Sequence, residues 1–190
     1  MNHIEIGGQS CSGKTTLIKN FLDSKKKYVL HNNSYPIKFV WFFCGLKYLG
    51  IKRSTIIFSW SFNETASYFF RLNIFINAIS KFGLKSNVFF KKSSSNSVYI
   101  IDEGISHLPF LFLNTDPNRT VDFIKDDIDG VEVHFLKSPG AATIKNRINE
   151  RGHRRLTFIA ENAFIERNHQ IEEVLLSLYP NLFKRKFTII

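Results

Sequence analysis

Residues 3–22 run HIEIGGQSCSGKTTLIKNFL, and two different periodicities meet inside this stretch. HIEIGG is a short, β-rich run that stops at two glycines, which is typical of a strand followed by a turn. In KTTLIKNFL the apolar residues recur at helical spacing, at Leu17, Ile18, Phe21 and Leu22. The stretch therefore predicts a strand, a glycine-rich turn and a helix in direct succession.

The turn itself, GQSCSGKT, matches the pattern GxxxxGK[ST] in full and lies in the strand–turn–helix context that the pattern requires. Glycines in this pattern let backbone N–H groups surround a β-phosphate, while the lysine neutralises β- and γ-phosphate oxygens and the next hydroxyl binds Mg²⁺. We therefore expect ATP or GTP to bind with Mg²⁺ at this loop. The expected binding residues are Gly8, Ser10, Cys11, Ser12, Gly13, Lys14, Thr15 and Thr16.

A second informative segment is SVYIIDEG, residues 97–104, a buried-strand pattern that ends in two acids and a glycine. Burial of carboxylates at the end of an apolar strand costs free energy unless they pair with a cation or take part in catalysis. We expect Asp102 to hold the hydration shell of Mg²⁺, together with Thr15. Glu103 has three interpretations: it lies near an acceptor hydroxyl, it orients a water, or it is a helix-terminal acid favoured by the dipole.

Four arginines lie close together in KSPGAATIKNRINERGHRR, residues 137–155. Arg147 and Arg151 are spaced to share one side of a helix, which Arg154 or Arg155 extends directly or through a short loop. Arginines arranged in this way close over a nucleotide and stabilise charge on a transferring phosphoryl group. The alternative is a solvated basic helix face that pairs with neighbouring acids.

Strand and helix patterns alternate along the rest of the chain, which predicts a mainly parallel sheet with helices on both faces. The expected fold class is therefore a three-layer α/β fold. Further strands are predicted at Tyr28–Leu30, in VEVHFL and in RKFTII. Helices are predicted at Pro36–Gly50, at Glu64–Phe82 with Asn63 as N-cap and Gly83 as stop signal, from Ser138 and Pro139, and from about Leu156 to Leu178.

Length and composition agree with one domain over residues 1–190, with a helical acceptor-binding region at 31–97 and a lid at 145–156. Two cysteines provide no disulfide framework, so we expect a cytoplasmic protein. The formal charge of +10 favours anionic partners such as nucleotides, phosphorylated small molecules, nucleic acid or acidic lipid surfaces. No apolar window is long enough for a membrane span. Peripheral membrane contact and a dimer are both compatible with the sequence.

Three segments, GQSCSGKTTL, VYIIDEG and KSPGAATIKNRINERGHRR, together resemble the phosphate loop, magnesium acid and arginine lid of P-loop nucleotide and nucleoside kinases. Thymidylate-kinase-like members are nearest, and a narrower similarity is to small kinase-like P-loop proteins associated with bacterial surface-polysaccharide genes. The resemblance implies a five-stranded parallel sheet of order 2-3-1-4-5, ATP on the loop, and an acceptor held by the helices between the second and third strands. It assigns roles in phosphoryl transfer to Lys14, Thr15, Asp102, Arg147, Arg151 and Arg155.

The sequence departs from these kinases where they recognise the acceptor. DEG stands where nucleoside and thymidylate kinases have DR[SYFH], and HNNSYP at residues 31–36 supplies no acid where nucleoside kinases place their base. The resemblance therefore leaves the acceptor open. Glu64 and Arg71 are the candidate acceptor-binding residues, Arg71 as a ligand of an acceptor phosphate.

Three functions follow from these observations. The first is an ATP-dependent, Mg²⁺-requiring small-molecule kinase, a phosphotransferase whose acceptor is a hydroxyl or phosphate of a nucleotide, nucleoside or sugar. The second is a P-loop ATPase or regulatory nucleotide-binding protein in which Glu103 orients water. The third is a polynucleotide 5′-hydroxyl kinase, which would account for the positive charge.

Overall fold

The computed structural model describes residues 3–24, 28–30, 35–90, 98–128, 131–183 and 186–190. Its strands are β1 His3–Gly7, β2 Tyr28–Leu30, β3 Val98–Asp102, β4 Glu132–Phe135 and β5 Phe187–Ile189. Its helices are α1 Lys14–Ser24, α2 Tyr35–Phe62, α3 Tyr68–Phe90, α4 Leu108–Leu111, α5 Pro117–Ile124, α6 Ala141–Arg151 and α7 Glu161–Phe183, with short 3-10 helices at Ile105–His107 and Arg154–Thr157.

The described strands form one sheet in the order β2-β3-β1-β4-β5, and each neighbouring pair is parallel. Ile6 of β1 lies opposite Asp102 of β3, and Gly7 lies opposite Phe135 of β4. The carboxyl ends of the three central strands therefore meet at one edge of the sheet, which is where ligands bind in open α/β sheets. The α/β class with a parallel sheet and helices is confirmed, and the strand order is the one that the resemblance implies.

Apolar side chains of β1 and its neighbouring strands lie on both faces of the sheet, because successive residues of a strand point to opposite faces. On one face a cluster formed by Ile4, Ile6 and Ile100 packs against Ile18 of α1. On the other face Phe135 of β4 belongs to the larger cluster, which also includes side chains of α2, α3, α5, α6 and α7. Helices therefore cover both faces of the sheet.

The two long helices α2 and α3 differ from the predicted ranges. α2 continues beyond Gly50 through a kink at that residue, where φ is 67°. α3 starts at Tyr68, after the predicted start at Glu64, and it continues past the predicted stop at Gly83. Gly83 does not end the helix because it lies where α2 crosses α3: a Cβ there would overlap the carbonyl of Trp41.

The predicted starts of the last two helices are also wrong. α6 starts at Ala141 with Gly140 as its N-cap, because the Ser138 hydroxyl accepts from the N–H of Gly140 at 3.3 Å and does not cap the helix. α7 starts at Glu161, while Leu156 belongs to the separate 3-10 helix. The stretch KKSSSNS at residues 91–97, whose polar composition predicts an exposed connection, lies outside the described part of the chain.

Candidate active site

The loop after β1 has the backbone geometry of a phosphate-binding turn. Gly8 has a φ of 128°, and a Cβ at this position would lie 2.5 Å from the carbonyl oxygen of Leu136. Gly13 has a φ of 115° and Cys11 a φ of 62°, so three residues of the loop adopt the left-handed region. Such alternation of backbone conformation turns N–H groups towards a common concave space, which binds anions.

Lys14 begins α1 and folds back over this loop. Its Nζ donates hydrogen bonds to the carbonyl oxygens of Gly8 at 3.0 Å and Gln9 at 2.8 Å. The same Nζ lies 3.2 Å from Oε1 of Glu103, and the lysine side chain is only 8% exposed. Thr15 and Thr16, in the first turn of α1, are exposed. The expected cation and hydroxyls are thus at the helix N-terminus, where an anion is favoured.

Glu172 of α7 holds the phosphate loop through hydrogen bonds. Its Oε2 accepts a hydrogen bond from Nε2 of Gln9 at 3.2 Å, and its Oε1 accepts one from the N–H of Ser138 at 2.7 Å. Both Gln9 and Glu172 are buried. One carboxylate therefore fixes the phosphate loop relative to the segment that leads into α6.

Three contacts hold the DEG turn at the end of β3 and the 3-10 helix that follows it. The N–H of Glu103 donates to the carbonyl of Ile6 at 3.3 Å, and Nζ of Lys81 donates to the carbonyl of Glu103. Oε2 of the buried Glu5 accepts from the N–H of Ser106 at 2.8 Å. Glu103 has a φ of 55°, and a Cβ on Gly104 would overlap the Glu5 carboxylate, which explains why a glycine follows the two acids.

Asp102 lies at the carboxyl end of β3, one strand away from the loop. Its Oδ1 is buried, with no hydrogen-bond partner among the described residues. Burial and the negative charge of Glu103 raise the pKa of Asp102, and the charge of Lys14 partly opposes this. An unpartnered buried carboxylate oxygen next to a P-loop fits a Mg²⁺ ion with its water shell.

The metal would be held mainly by phosphate and water. Among the described residues, no group of three or more His, Cys, Asp or Glu side chains could enclose a metal ion. Mg²⁺ in nucleotide sites characteristically needs only one or two protein oxygens, because it keeps several waters. Thr15 and Asp102 therefore remain the predicted metal-binding residues.

The Glu103 carboxylate lies between a lysine and a histidine. Its Oε2 is 3.5 Å from Nε2 of His107. Burial of Glu103 raises its pKa, but the charge that His107 carries when protonated, together with the charges of Lys14 and Lys81, outweighs burial and holds the pKa below its usual range. Burial also lowers the pKa of His107 to about 3, despite the attraction of Glu103. Since His107 is then neutral at pH 7, Lys14 is the adjacent charge that keeps Glu103 ionised.

A cleft opens beside the two acids, between the sheet edge and the helices α2 and α3. Its inner part has a volume of about 130 Å³ and is lined by Lys38, Trp41, Asn77, Ser80, Lys81, Leu84, Asp102 and Glu103. An outer part of about 340 Å³ shares Lys38 and Asn77 with it and reaches Arg154. We call the two parts together the acceptor cleft. Its helical wall lies within residues 31–97, the region expected to bind an acceptor.

The predicted lid arginines have separate positions. Arg147 of α6 donates from Nη1 to the carbonyl oxygens of Cys11 at 2.9 Å and Ser12 at 3.0 Å, so it reaches the phosphate loop. Arg151 ends α6 and is exposed. Arg155 is buried, and its Nη2 donates to the carbonyl of Leu111 at 2.6 Å. The spacing thus brings Arg147 to the loop, whereas Arg155 is part of the packed structure.

The two predicted acceptor-binding residues do not line the acceptor cleft. Glu64 is 2% exposed; its Oε1 accepts from the N–H of Asn114 at 2.9 Å, and its Oε2 lies 4.0 Å from Nη1 of Arg155. Burial raises the pKa of Glu64, against the opposing effects of that hydrogen bond and of Arg155. Arg71 lies near the start of α3, with a buried Nε that has no hydrogen-bond partner among the described residues. Contact of either residue with an acceptor stays a prediction.

Several residues of the site carry no local sequence signal. Lys81 lies within a helix whose pattern indicates only core packing, and Glu5 alternates with isoleucines in a strand. His107 is the exception, because it follows Glu103 at a spacing of four residues, which brings side chains together on helical turns. The others could be recognised only once the helices and the sheet edge were in place.

No helix in the described part of the chain combines the length and the apolar character needed to cross a membrane.

A parallel sheet whose central strand leads through a GxxxxGK[ST] loop into a helix defines the P-loop α/β fold. No protein-family model matches the chain, and no curated protein matches it in sequence. Two structures of deoxyadenosine kinase from M. mycoides match it in fold. One, with the products dCMP and a flexible dCDP bound, has 16% identity and a TM-score of 0.52, over 99% of this chain and 89% of that one. The other, with bound dATP, has 16% identity and a TM-score of 0.50, over 99% and 90%.

At this identity the likeness establishes a shared fold. The narrower resemblance to thymidylate-kinase-like proteins, and to proteins of surface-polysaccharide gene clusters, stays a prediction. A single domain over residues 1–190, a cytoplasmic location and a dimer stay predictions as well.

Proposed function

We propose that this protein is an ATP-dependent, Mg²⁺-requiring kinase that transfers the γ-phosphoryl group to a small acceptor. The observation that carries the proposal is the position of Glu103. Its carboxylate lies 3.2 Å from the Nζ of Lys14 and also lines the acceptor cleft. One side chain therefore borders the expected position of the γ-phosphate and the cavity that would hold the group receiving it.

The donor half of the reaction belongs to the phosphate loop. Backbone N–H groups of the loop would bind the β-phosphate, and Lys14 would exchange its carbonyl contacts for β- and γ-phosphate oxygens. Thr15 and Asp102 would hold Mg²⁺, which would supply positive charge against the negative charge of the phosphates. GTP is an alternative donor, since nothing in the loop itself distinguishes the bases.

The acceptor half belongs to the cleft. Glu103 is ionised and would accept a hydrogen bond from an acceptor hydroxyl, which orients the oxygen for in-line attack. A weakly basic carboxylate is adequate for this role, because phosphoryl transfer requires positioning more than early deprotonation. The deoxyadenosine kinase fold supports an acceptor of nucleoside or nucleotide type, and a sugar-type acceptor belongs to the same class of hydroxyl compounds.

The cations of the cleft favour an acceptor that already carries a negative group. Lys38 and Lys81 line its inner part, and Arg154 lines the outer part. Lys81 is 7% exposed and burial lowers its pKa, so an additional anion nearby would help to keep it charged. A monophosphate acceptor therefore suits the cleft better than a neutral nucleoside.

The second half of α6 would complete the site when nucleotide binds. Arg147 already contacts the loop carbonyls, and Arg151 is exposed one helical turn further on. Movement of Arg151 towards the γ-phosphate would add a planar cation to the transferring group. Gly152 has a φ of 70°, which gives the chain a natural point for such a movement.

A P-loop ATPase is the second candidate, and the DEG turn favours it. Glu103 directly follows Asp102 and lies beside Lys14, so it could orient water in place of an acceptor hydroxyl. The two candidates differ in whether turnover depends on a second small molecule.

Phosphate transfer from γ-labelled ATP separates the two candidates. The protein is incubated with ATP and Mg²⁺, alone and with matched pairs of nucleosides, nucleoside monophosphates, sugars and sugar phosphates. A kinase yields a labelled acceptor with the wild type and little with Glu103→Gln. Release of labelled phosphate at a rate that no acceptor changes would identify an ATPase, and no turnover under any condition would contradict both.

A further inference from the structure

The outer surface of α2 and α3 carries an unbroken run of aromatic rings. Each ring contacts the next, with centroids between 4.2 and 6.0 Å apart. In order along the surface, the rings are Phe43, Phe42, Phe75, Phe58, Phe62, Tyr68 and Phe69. We call this set the aromatic strip.

Much of the strip is open to solvent. Phe43 is 65% exposed, Tyr68 64% and Phe69 81%. Ile51, beside the kink at Gly50, is 89% exposed and lines an apolar groove of about 380 Å³ together with Phe58 and other residues. A continuous exposed apolar patch marks an interaction site, whereas single exposed apolar residues are normal on protein surfaces.

The charges of the same two helices have one sign. Residues 35–90 contain one acid, Glu64, which is 2% exposed. The same range contains seven cations: Lys38, Lys47, Lys52, Arg53, Arg71, Lys81 and Lys85. Arg53 pairs with Asp127 of the chain that follows α5. Lys47 and Lys52 are exposed. The surface around the strip therefore offers apolar rings and positive charge, with no exposed carboxylate from α2 or α3.

We propose that the outer face of α2 and α3 docks onto an anionic lipid surface. Aromatic side chains favour the boundary between acyl chains and headgroups, where their rings are buried at low cost. Exposed lysines on the same helix gain from the negative potential of anionic headgroups. Neither helix needs to cross the bilayer, since an interfacial element buries one face only.

Charge is the reason to favour lipid over a second copy of this chain. A two-fold symmetric contact would bring the same surface of each copy together, and with it the exposed lysines Lys47 and Lys52 of both copies. These helices contain no exposed acid to pair with them, so like charges would oppose each other across the contact. An anionic membrane meets the same cations with opposite charge.

The test is co-sedimentation of the full chain with vesicles of phosphatidylcholine alone and with added phosphatidylserine. We expect binding to the anionic vesicles, weaker binding as salt is raised, and little binding to phosphatidylcholine alone. The double variant Phe43→Ser/Ile51→Ser should weaken binding roughly a hundredfold, about tenfold for each apolar side chain withdrawn from the membrane. The double variant Lys47→Glu/Lys52→Glu should weaken binding to the vesicles that contain phosphatidylserine and leave the weak binding to phosphatidylcholine vesicles unchanged.

Two control variants change similar residues elsewhere. Ile189 of β5 is 51% exposed and Lys125 lies at the end of α5, so Ile189→Ser and Lys125→Glu should bind vesicles as the wild type does. Nucleotide-dependent thermal shifts verify the fold of every variant. Equal binding to both vesicle types, or no binding, overturns the proposal. It is also overturned if Phe43→Ser/Ile51→Ser instead dissociates a dimer seen by sedimentation velocity in the absence of lipid.

Discussion

Lys14 Nζ and Glu103 Oε1 lie 3.2 Å apart, so the lysine of the phosphate loop is paired with the acid that borders the acceptor cleft. Lys14 begins the helix that follows β1, Glu103 follows β3, and the two residues meet because β1 and β3 are neighbours in the sheet. Binding of a γ-phosphate would compete with Glu103 for this lysine. If the proposed function is right, this ion pair would couple the donor and acceptor positions.

Replacement of Lys14 tests the nucleotide site. We expect Lys14→Ala to abolish the thermal stabilisation by ATP and Mg²⁺, because the loop loses the cation that neutralises β- and γ-phosphate oxygens. Thermal shift over a range of ATP concentrations measures the effect. Lys19→Ala, on the exposed side of α1, is the control. A Lys14→Ala protein with an unchanged ATP shift would show that phosphate binds elsewhere.

Glu103→Gln keeps the shape of the side chain and removes its charge. We expect kcat for phosphoryl transfer to fall by a factor on the order of 10² to 10⁴, the range for loss of a positioned acid–base group, while ATP still binds. Steady-state kinetics provide the measurement, with an acceptor identified by the labelled-ATP assay. Glu132→Gln, at the opposite end of the sheet, is the matched control. Equal kcat in both variants would remove Glu103 from the mechanism.

Asp102→Asn tests the metal assignment. The variant should still bind ATP, yet it should need much more Mg²⁺ for the same rate and lose most of its maximal turnover, because an amide is a weaker ligand for a hard cation than a carboxylate. Titration of activity against Mg²⁺ concentration gives the result. A wild-type Mg²⁺ dependence would place the metal acid at another residue.

The structure assigns different consequences to two of the arginines that the sequence groups together. We expect Arg151→Ala to lower kcat by a factor on the order of 10³ with little change in ATP affinity, and Arg151→Lys to recover only part of the rate. Arg155→Ala should instead lower the free energy of unfolding by about 3 kcal/mol, because it leaves the buried Glu64 without its cation. Denaturant unfolding and kinetics of both variants, with the exposed Arg154→Ala as control, distinguish the two roles. A stable, catalytically dead Arg155→Ala would reverse the assignment.

Gly104 tests the packing beneath the DEG turn. Gly104→Ala should lower the melting temperature, because the new methyl group overlaps the buried Glu5 carboxylate. Glu5→Ala should restore part of the loss in the double variant, since the space it vacates admits the methyl group. The double-mutant cycle measures this coupling. Additive losses would mean that the two positions do not touch.

The sequence alone identified the phosphate loop and the α/β class. Both depend on short-range patterns: the GxxxxGK[ST] turn must follow a strand and open a helix, and alternation of strands with helices leads to a parallel sheet. The pair Asp102 and Glu103 was recognisable for a similar reason, since two acids at the end of a buried strand need a partner. Local chemistry was sufficient in each case.

Helix limits and the remaining site residues depended on tertiary contacts. Gly83 has the residue type of a helix stop, but the close crossing of α2 and α3 is what requires a glycine there. Arg155 belongs to the same basic run as Arg151, yet burial against Leu111 and Glu64 removes it from the surface. Lys81 lies in the site only because α3 packs near the end of β3, where Nζ of Lys81 donates to the carbonyl of Glu103. Sequence spacing determines which residues share one turn or strand, whereas burial and contact between distant segments are decided by the packing of the whole chain.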